Sequence, residues 1–395
     1  MKKTSRFILP CLFCTCLMLL YYKYYHFGES MVEKKNLIIT QIRKQEKRHQ
    51  HKKTKIPFTI LLHTRFFGRP WSEKYPLGRT ECQLPSSYSQ CVFTDDHQYI
   101  HSSHAVLFHG NDLLSPRKIL CIPRNPHQIW IFMTQENPLT TNTGVYKIKD
   151  YNGVFNWTAT YHHTSNVVTP YYDVIKSGYK NQSSKLLIQN LALLMKSKMK
   201  LVIGIMSNCV EYRLEFIRNL RKHVDVDLYG KCKNKVNPGI SEQCDQFTEE
   251  CDQLQKSYKF FLAIENFYCS DYVTEKFYHE ALQKGLVPIV LNGAKMSNVR
   301  VAPPGSFINI LDFKDAHHLG NSIRYLYGNN TAYLQYHQWR RDYRIVDHDY
   351  TCNFCKTLNK KFSNVRRWPP LKLSDKWNDG MCKRYSNDIF QKYLK

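Results

Sequence analysis

The sequence predicts an α/β protein with two domains behind an N-terminal membrane anchor, and three observations support this. The second half contains two strand–helix–strand units, which build parallel sheets. The first half contains short buried-strand patterns separated by turns rich in proline, serine and asparagine. An apolar run flanked by basic residues lies near the N-terminus. The 395 residues suffice for one large domain or for two of ordinary size.

The N-terminal segment is predicted to span a membrane. Lys2, Lys3 and Arg6 precede the apolar run FILPCLFCTCLMLLYY. We predict a cytoplasmic tail at residues 1–6, a transmembrane signal-anchor at 7–25 and a basic stem at 26–55, with the remainder translocated. A cleaved signal peptide is the alternative, but no small-x-small cleavage site follows the run.

The net charge of +25 favours anionic partners such as nucleic acid, acidic lipids or phosphate-bearing ligands. No RGG tract, zinc-finger spacing or RNP-type motif is present in the sequence. Nucleic acid is therefore not expected as a partner.

Three of the 14 cysteines lie in the predicted anchor and 11 lie beyond it. A lumenal location would permit disulfides, and the odd number leaves at least one thiol free or paired with another chain. The CNFC segment at 352–355 fits a redox pair, a zinc pair or structural disulfides, and the absence of a second CxxC favours disulfides. Sequons at Asn156, Asn181 and Asn329 agree with lumenal exposure.

The first domain is predicted at residues 56–195, with buried strands in FTILLHT, HAVLFH and QIWIFMTQE. The second is predicted at 196–395. There the strand 200–208, a helix at 211–223 and the strand 224–230 form one unit. The strand KFFLAI, the helix DYVTEKFYHEALQKG and the strand LVPIVL form the next unit, with Gly285 as the helix C-cap.

Polar residues follow the strands of both units, where parallel sheets bind ligands. Ser207 and Asn208 follow the first strand, and Arg213 lies in the first turn of its helix. Glu265 and Asn266 follow the next strand, and Asp271 is predicted to cap the following helix.

On that helix Tyr272, Glu275, Lys276 and His279 would share one face. Arg213 and Lys276 could then neutralise a diphosphate, since cations and helix N-termini suit phosphate. Glu275 and Asn266 could bind hydroxyls. The alternative is an ordinary amphipathic helix with a solvated glutamate and lysine.

The segment YKFFLAIENFYCSDYVTEKFYHEALQKGLVPIVLNGA resembles the donor-binding signature of the α1,3-fucosyltransferases. The resemblance continues through APPGSFINILDF and CNFC. Upstream it includes PHQIWIFMTQENP, GVFNWTATYHHTSNVVTPYYDV and MSNCVEYRLEFIRNLRKHVDVDLYGKC. It covers roughly residues 56 to 360, and the Tyr-Val-Thr-Glu-Lys segment is its most specific part.

The resemblance implies a GT-B fold, in which two Rossmann-like domains face each other across a cleft, the first binding acceptor and the second donor. It implies a Golgi type II membrane enzyme that transfers L-fucose from GDP-β-L-fucose with inversion. It implies that Glu136 is the general base and that Cys82 and Cys91 bridge to Cys352 and Cys355. The implied donor-binding residues are Tyr171, Ser207, Asn208, Arg213, Asn266, Tyr272, Glu275 and Lys276.

No Asp-x-Asp metal motif lies at a strand end, so no obligatory metal is implied, and stimulation by Mn²⁺ or Mg²⁺ is left open. HGND at 109–112 departs from the Lewis-type pattern, while the SNC segment at 207–209 is similar to core-type members. The acceptor, core GlcNAc or lactosamine on glycoproteins or glycolipids, therefore stays undecided. A catalytically inactive, membrane-tethered glycan binder of the same fold is the alternative function, and use of another nucleotide sugar is a third.

Overall fold

The structure is a computed structural model that describes residues 55–141, 145–177, 193–236, 244, 248–362, 367–383 and 391–393. The predicted tail and anchor, and nearly all of the predicted stem, lie outside the described residues. In the part described, no helix is both long enough and apolar enough to cross a membrane.

Two sheets organise the described residues. The first has the order β2-β3-β1-β4-β5-β6-β7 and is parallel except for the β2–β3 pair. Its central strands are continuous apolar runs buried on both faces, as expected for parallel sheets. The strands are β1 (Phe58–Leu62), β2 (Gly78–Arg79), β3 (Cys91–Thr94), β4 (Ala105–His109), β5 (Ile129–Met133), β6 (Trp157–Thr160) and β7 (Val167–Val168).

The second sheet is wholly parallel, with the order β10-β9-β11-β13-β14. Both predicted strand–helix–strand units are present in it. Leu214, Ile217 and Leu220 are buried on the helix of the first unit, as their spacing predicts. Two antiparallel pairs, β8–β15 and β12–β16, lie outside the two sheets. The remaining strands are β8 (Tyr172–Lys176), β9 (Lys200–Ile205), β10 (Val226–Tyr229), β11 (Tyr258–Ile264), β12 (Tyr268–Cys269), β13 (Val287–Leu291), β14 (Ile308–Asn309), β15 (Tyr343–Asp347) and β16 (Cys382–Lys383).

Helices connect the strands and cover the sheets. The α-helices are Pro116–Leu120, Pro138–Thr141, Glu211–Arg221, Glu249–Lys256, Ala316–Gly328, Asn330–Gln335, Tyr350–Phe362 and Leu373–Lys376, and a π-helix spans Lys276–Gln283. The 3₁₀-helices are Trp71–Glu73, His97–Ile100, Gly110–Asp112, Ile148–Tyr151, Lys233–Lys235, Ile310–Asp312, Gln338–Arg341 and Asp379–Met381. The first sheet lies in the segment predicted as 56–195 and the second in 196–395, while residues 57–395 form one compact unit.

After the second sheet the chain returns to the first. Phe354 and Leu358 of the helix Tyr350–Phe362 are buried against the core of the first sheet. Disulfides Cys82–Cys352 and Cys91–Cys355 fix this helix there, as the resemblance implied. The described chain also contains disulfides Cys209–Cys232, Cys244–Cys251 and Cys269–Cys382, and among the described cysteines Cys121 is free.

The structure corrects one glycosylation candidate. Asn156 is 7% exposed, and its amide nitrogen donates to the carbonyl oxygens of Trp368 at 2.9 Å and Pro369 at 3.2 Å. A glycan on that nitrogen would displace both bonds at a buried position, so Asn156 is not retained as a candidate. Asn329 caps the helix Asn330–Gln335 near the surface and stays a prediction, and Asn181 lies outside the described residues.

Candidate functional site

The segments that follow β5, β6 and β11 contact one another, and they bring most of the predicted site residues together. The hydroxyl of Tyr272 donates to Glu136 Oε2 at 3.3 Å. The side-chain amide of Asn137 donates to Asn266 Oδ1 at 2.9 Å. The ring of Tyr161, directly after β6, packs 5.0 Å from that of Tyr272. Residues from both sheets therefore line one site.

Glu136 is half-buried three residues beyond the end of β5. Its backbone N–H donates to Thr134 Oγ1 at 3.1 Å, which fixes the turn that presents the carboxylate. Burial raises the pKa of Glu136, and the Glu275 and Glu265 charges add to that rise, while the Lys276 ammonium and the Tyr272 hydroxyl oppose it. A half-buried carboxylate with a raised pKa is suited to accept a proton from a substrate hydroxyl.

Lys276 lies at the start of the π-helix and is held by three oxygens. Its Nζ is 2.9 Å from Thr274 Oγ1, 3.1 Å from Glu275 Oε1 and 3.3 Å from Glu265 Oε2. Burial and nearby Arg213 lower the pKa of Lys276, but the charges of Glu265 and Glu275 outweigh both and raise it above its usual value. The ammonium is therefore fully charged at neutral pH.

The start of this helix differs from the sequence prediction. Asp271 does not cap it, because Asp271 has a left-handed backbone with φ of 59° and helical structure begins only at Glu275. The predicted shared face of Tyr272, Glu275, Lys276 and His279 is therefore wrong: Tyr272 precedes the helix, and the helix that follows is π.

Glu265 anchors the segment that precedes the helix, although it does not cap the helix itself. Its carboxylate accepts hydrogen bonds from the Thr274 backbone N–H at 2.8 Å and from Thr274 Oγ1 at 2.9 Å. Sequence reasoning located Glu265 at the strand end but gave it no function. The sequence did contain an indication of its function, because a carboxylate directly after a fully buried strand needs a hydrogen-bond or charge partner.

Glu275 directly follows Thr274 and stays ionised. Burial alone would raise the pKa of Glu275, but the charge and hydrogen bond of Lys276 outweigh burial and lower it. Tyr171 reaches the same region from the other side, and its hydroxyl donates to the Gln135 carbonyl at 2.8 Å. Both residues line a cleft of about 400 Å³ that is also bordered by Tyr75, Gln135, His348 and Tyr350.

Arg213 lies close to Lys276 but faces inward. It is 2% exposed, and its guanidinium donates to the carbonyl oxygens of Ile264 at 3.2 Å and of Asn208. Within the described residues its Nε has no hydrogen-bond partner. Arg213 therefore ties the ends of β9 and β11 together, while Ser207 and Asn208 are exposed at the end of β9.

Several contacting residues were not singled out from the sequence. Tyr212 donates its hydroxyl to the carbonyl oxygens of Glu265 at 2.5 Å and Asn266 at 2.8 Å, which supports the loop after β11. Asn137 and Tyr161 touch the site from the first sheet. The sequence indicated a site role for Asn137 and Tyr161 only through their positions, four residues past β5 and one residue past β6.

The HGND segment forms a rigid corner at the end of β4. His109 is fully buried and its Nδ1 is 2.5 Å from Asp112 Oδ2. Asp112 also accepts from the backbone N–H groups of Phe67 at 2.7 Å and Gly68 at 2.8 Å. A second cleft of about 260 Å³ opens beside Gly110 and Asn111.

Within the described residues two groups could hold a metal ion: His162, His163 and Asp271, and Asp315, His317 and His318. Neither includes a residue predicted from the sequence to bind donor or to act as base. The first group adjoins the site, because Asp271 directly precedes Tyr272.

Comparison with known proteins gives two adjacent family matches. Residues 55–172 match the model described as "Fucosyltransferase, N-terminal", and residues 195–372 match "Glycosyltransferase family 10 (fucosyltransferase) C-term". Together the two models cover most of the described residues.

Curated relatives agree with these matches. The chain is 32% identical over 225 residues to α-(1,3)-fucosyltransferase fut-1 of Caenorhabditis elegans, which covers 56% of the chain and 48% of that protein. It is 28% identical over 354 residues to 3-galactosyl-N-acetylglucosaminide 4-α-L-fucosyltransferase FUT3 of Bos taurus. This match covers 87% of the chain and 88% of that protein. For the first relative, the match thus spans about half of its length.

A solved α1,3-fucosyltransferase with GDP-fucose is similar to the chain with a TM-score of 0.48 at 15% identity, over 79% of the chain and 92% of the solved one.

Proposed function

The chain belongs to glycosyltransferase family 10, the fucosyltransferases, and from that premise we propose that it transfers L-fucose from GDP-β-L-fucose in α1,3 linkage to GlcNAc of glycoprotein N-glycans or lactosamine-type glycans. The reaction is an inverting single displacement. We further propose that the two sheets belong to the two Rossmann-like domains of a GT-B fold, with donor bound by the second domain.

The observation that carries this proposal is the hydrogen bond that Glu136, after β5, accepts from Tyr272 in the segment that leads to the charged Lys276. Glu136 lies close enough to Lys276 for the lysine to lower its pKa, and it contacts Tyr272 directly. An inverting displacement needs a base on one side of the anomeric carbon and stabilisation of the departing diphosphate on the other. The two residues supply these functions from opposite sheets.

In this mechanism Glu136 removes the proton of the acceptor hydroxyl while that oxygen bonds to the anomeric carbon and the bond to GDP breaks. Lys276 stabilises the charge that develops on the diphosphate. Arg213 contributes its charge from beneath the loops after β9 and β11. The remaining donor-binding residues are Tyr171, Ser207, Asn208, Asn266, Tyr272 and Glu275.

We propose that transfer needs no obligatory metal, because fixed cations serve the diphosphate. Stimulation by Mn²⁺ or Mg²⁺ is compatible with this mechanism. We also propose a single-pass type II protein of the Golgi membrane, with the described residues in the lumen. The apolar run behind Arg6 and the disulfides support that location.

Transfer assays with the full-length chain test the proposal. GDP-fucose is supplied with a panel of N-glycans bearing an innermost GlcNAc and of lactosamine acceptors. We expect fucosylated product on at least one acceptor, and a loss of about 10²- to 10³-fold in turnover for Lys276→Ala. The matched control is Lys314→Ala, which removes an exposed lysine outside the site.

Each other outcome has a distinct meaning. Glycan binding without product on any acceptor would support the inactive binder instead. Inhibition by UDP rather than GDP would identify a different nucleotide-sugar donor. Equal losses in both lysine variants would remove the assigned role of Lys276.

A further inference from the structure

Two histidines and an aspartate from distant parts of the chain meet beside the transfer site. His162 and His163 follow β6, and Asp271 lies in the loop between β12 and the π-helix. His163 Nδ1 is 2.6 Å from Asp271 Oδ2, and His162 Nε2 is 3.8 Å from the same oxygen. All three ligand atoms lie within 4.8 Å of one another.

The surroundings hold each ligand in place. His162 Nδ1 is 2.8 Å from Thr164 Oγ1, which orients the ring so that Nε2 faces Asp271. Asp271 has a left-handed backbone, and its Oδ2 also accepts the His163 backbone N–H at 3.1 Å. Asp271 is thus bound to the β6 loop although 108 residues separate the two.

The spacing is close to that of a metal site. Ligand atoms on a tetrahedral zinc ion, at about 2.0–2.1 Å from the metal, lie about 3.3 Å from each other. The present separations of 2.6 and 3.8 Å lie on either side of this value. Two imidazoles and one carboxylate select zinc-like transition metals over Mg²⁺ or Ca²⁺, which prefer oxygen ligands.

The second group, Asp315, His317 and His318, has a different explanation. Asp315 accepts from the His318 backbone N–H at 2.9 Å and caps the helix Ala316–Gly328. All three residues come from one helix start, and both histidines are exposed. This group needs no metal to account for it, and it provides a matched control.

We propose that His162, His163 and Asp271 form a binding site for a zinc-class divalent cation with a fourth position open to solvent or ligand. A bound ion would join the loop after β6 to the loop that carries Tyr272, and so brace the site across both sheets. Metal binding here is independent of the proposed fucosyl transfer, so either proposal can fail without the other.

The test is metal binding by the full-length chain after treatment with EDTA. Zn²⁺ is titrated calorimetrically in the presence of excess Mg²⁺, and Co²⁺ binding is followed by its visible absorption. We expect one equivalent in the wild type and in His317→Ala/His318→Ala. His162→Ala/His163→Ala and Asp271→Asn should bind at least about tenfold more weakly.

His163→Gln guards against misfolding, because this side chain is 74% exposed and its replacement should leave the fold intact. It should weaken Zn²⁺ binding like the double variant. The proposal fails if the wild type binds no Zn²⁺ under these conditions, if His163→Gln and Asp271→Asn bind as well as the wild type, or if the affected variant is His317→Ala/His318→Ala.

Discussion

Glu136 was assigned as the general base only through the family resemblance, and two features of its position support that assignment. It follows a fully buried strand, and it accepts a hydrogen bond from Tyr272 in the loop before the π-helix. Its half-buried position raises its pKa, while Lys276 keeps the rise limited. A carboxylate with a raised pKa is a stronger base than an ordinary glutamate, which suits it to accept a proton from a hydroxyl.

The corresponding prediction concerns Glu136→Gln. Turnover should fall by about 10²- to 10⁴-fold, because the amide cannot accept the acceptor's proton. GDP affinity, measured by calorimetry, should stay near that of the wild type. In the wild type, turnover should decrease as the pH falls through the raised pKa of Glu136, since the ionised form is the active one.

Glu73→Gln is the matched control, because Glu73 is an exposed carboxylate in the 3₁₀-helix Trp71–Glu73, which follows β1 of the first sheet. It should leave turnover and the pH profile unchanged. A loss of GDP affinity in Glu136→Gln as large as the loss of turnover would instead make Glu136 a donor-binding or folding residue.

At the scale of elements, seven strands were predicted, namely β1, β4, β5, β9, β10, β11 and β13, but the other described strands and the start of the site helix were not. Continuous apolar runs identify β4, β5, β11 and β13, because their strands are buried on both faces. A π-helix leaves no such signature, since hydrophobic spacing is interpreted with a period of 3.6 residues. The left-handed turn at Asp271 likewise shifts the helix start without changing the residue pattern.

The helix start depends on Glu265, and this yields a second prediction. Glu265 is 1% exposed and binds both Thr274 and Lys276. Glu265→Gln keeps the shape but removes the charge, which should lower the free energy of unfolding by about 1–3 kcal/mol. GDP affinity should also weaken, because Lys276 loses one of the oxygens that position it.

Glu280→Gln is the control for this prediction. Glu280 is fully buried in the same π-helix and pairs with Lys284 Nζ at 2.8 Å and Gln255 Nε2 at 2.8 Å. Its replacement should destabilise the protein to a similar degree in urea unfolding while GDP affinity stays unchanged. If both variants lose GDP affinity equally, Glu265 acts only through stability.

At the scale of the whole molecule, the described part of the chain forms the first sheet, then the second, and then packs a helix back against the first. Local periodicity could predict the helix Tyr350–Phe362 but not where it packs. The partners of Cys352 and Cys355 were available only through the family resemblance, because spacing leaves disulfide pairing open. The location of the site was partly predictable, because ligands commonly bind at the carboxyl ends of parallel strands, and polar residues follow the strands there.

The two bridges that fix the returning helix yield the last prediction. Cys82–Cys352 and Cys91–Cys355 close nearly the same loop, with sequence separations of 270 and 264. If one bridge is replaced by alanines, the other still closes the long loop, so the lost bridge constrains only a ring of roughly 15 residues or fewer and is worth about 3 kcal/mol. Removing the second bridge then releases the long loop, at about 5 kcal/mol.

Urea unfolding of the two double variants and the quadruple variant measures this coupling. The quadruple variant should lose about 2 kcal/mol more than the sum of the two double variants. Cys209–Cys232 closes a short loop within the first strand–helix–strand unit of the second sheet. The loss of unfolding free energy on replacing it should add to the loss from replacing either of the first two bridges, without coupling. Strict additivity of the first two bridges would contradict this prediction, because each disulfide would then contribute independently of whether the other closes the long loop.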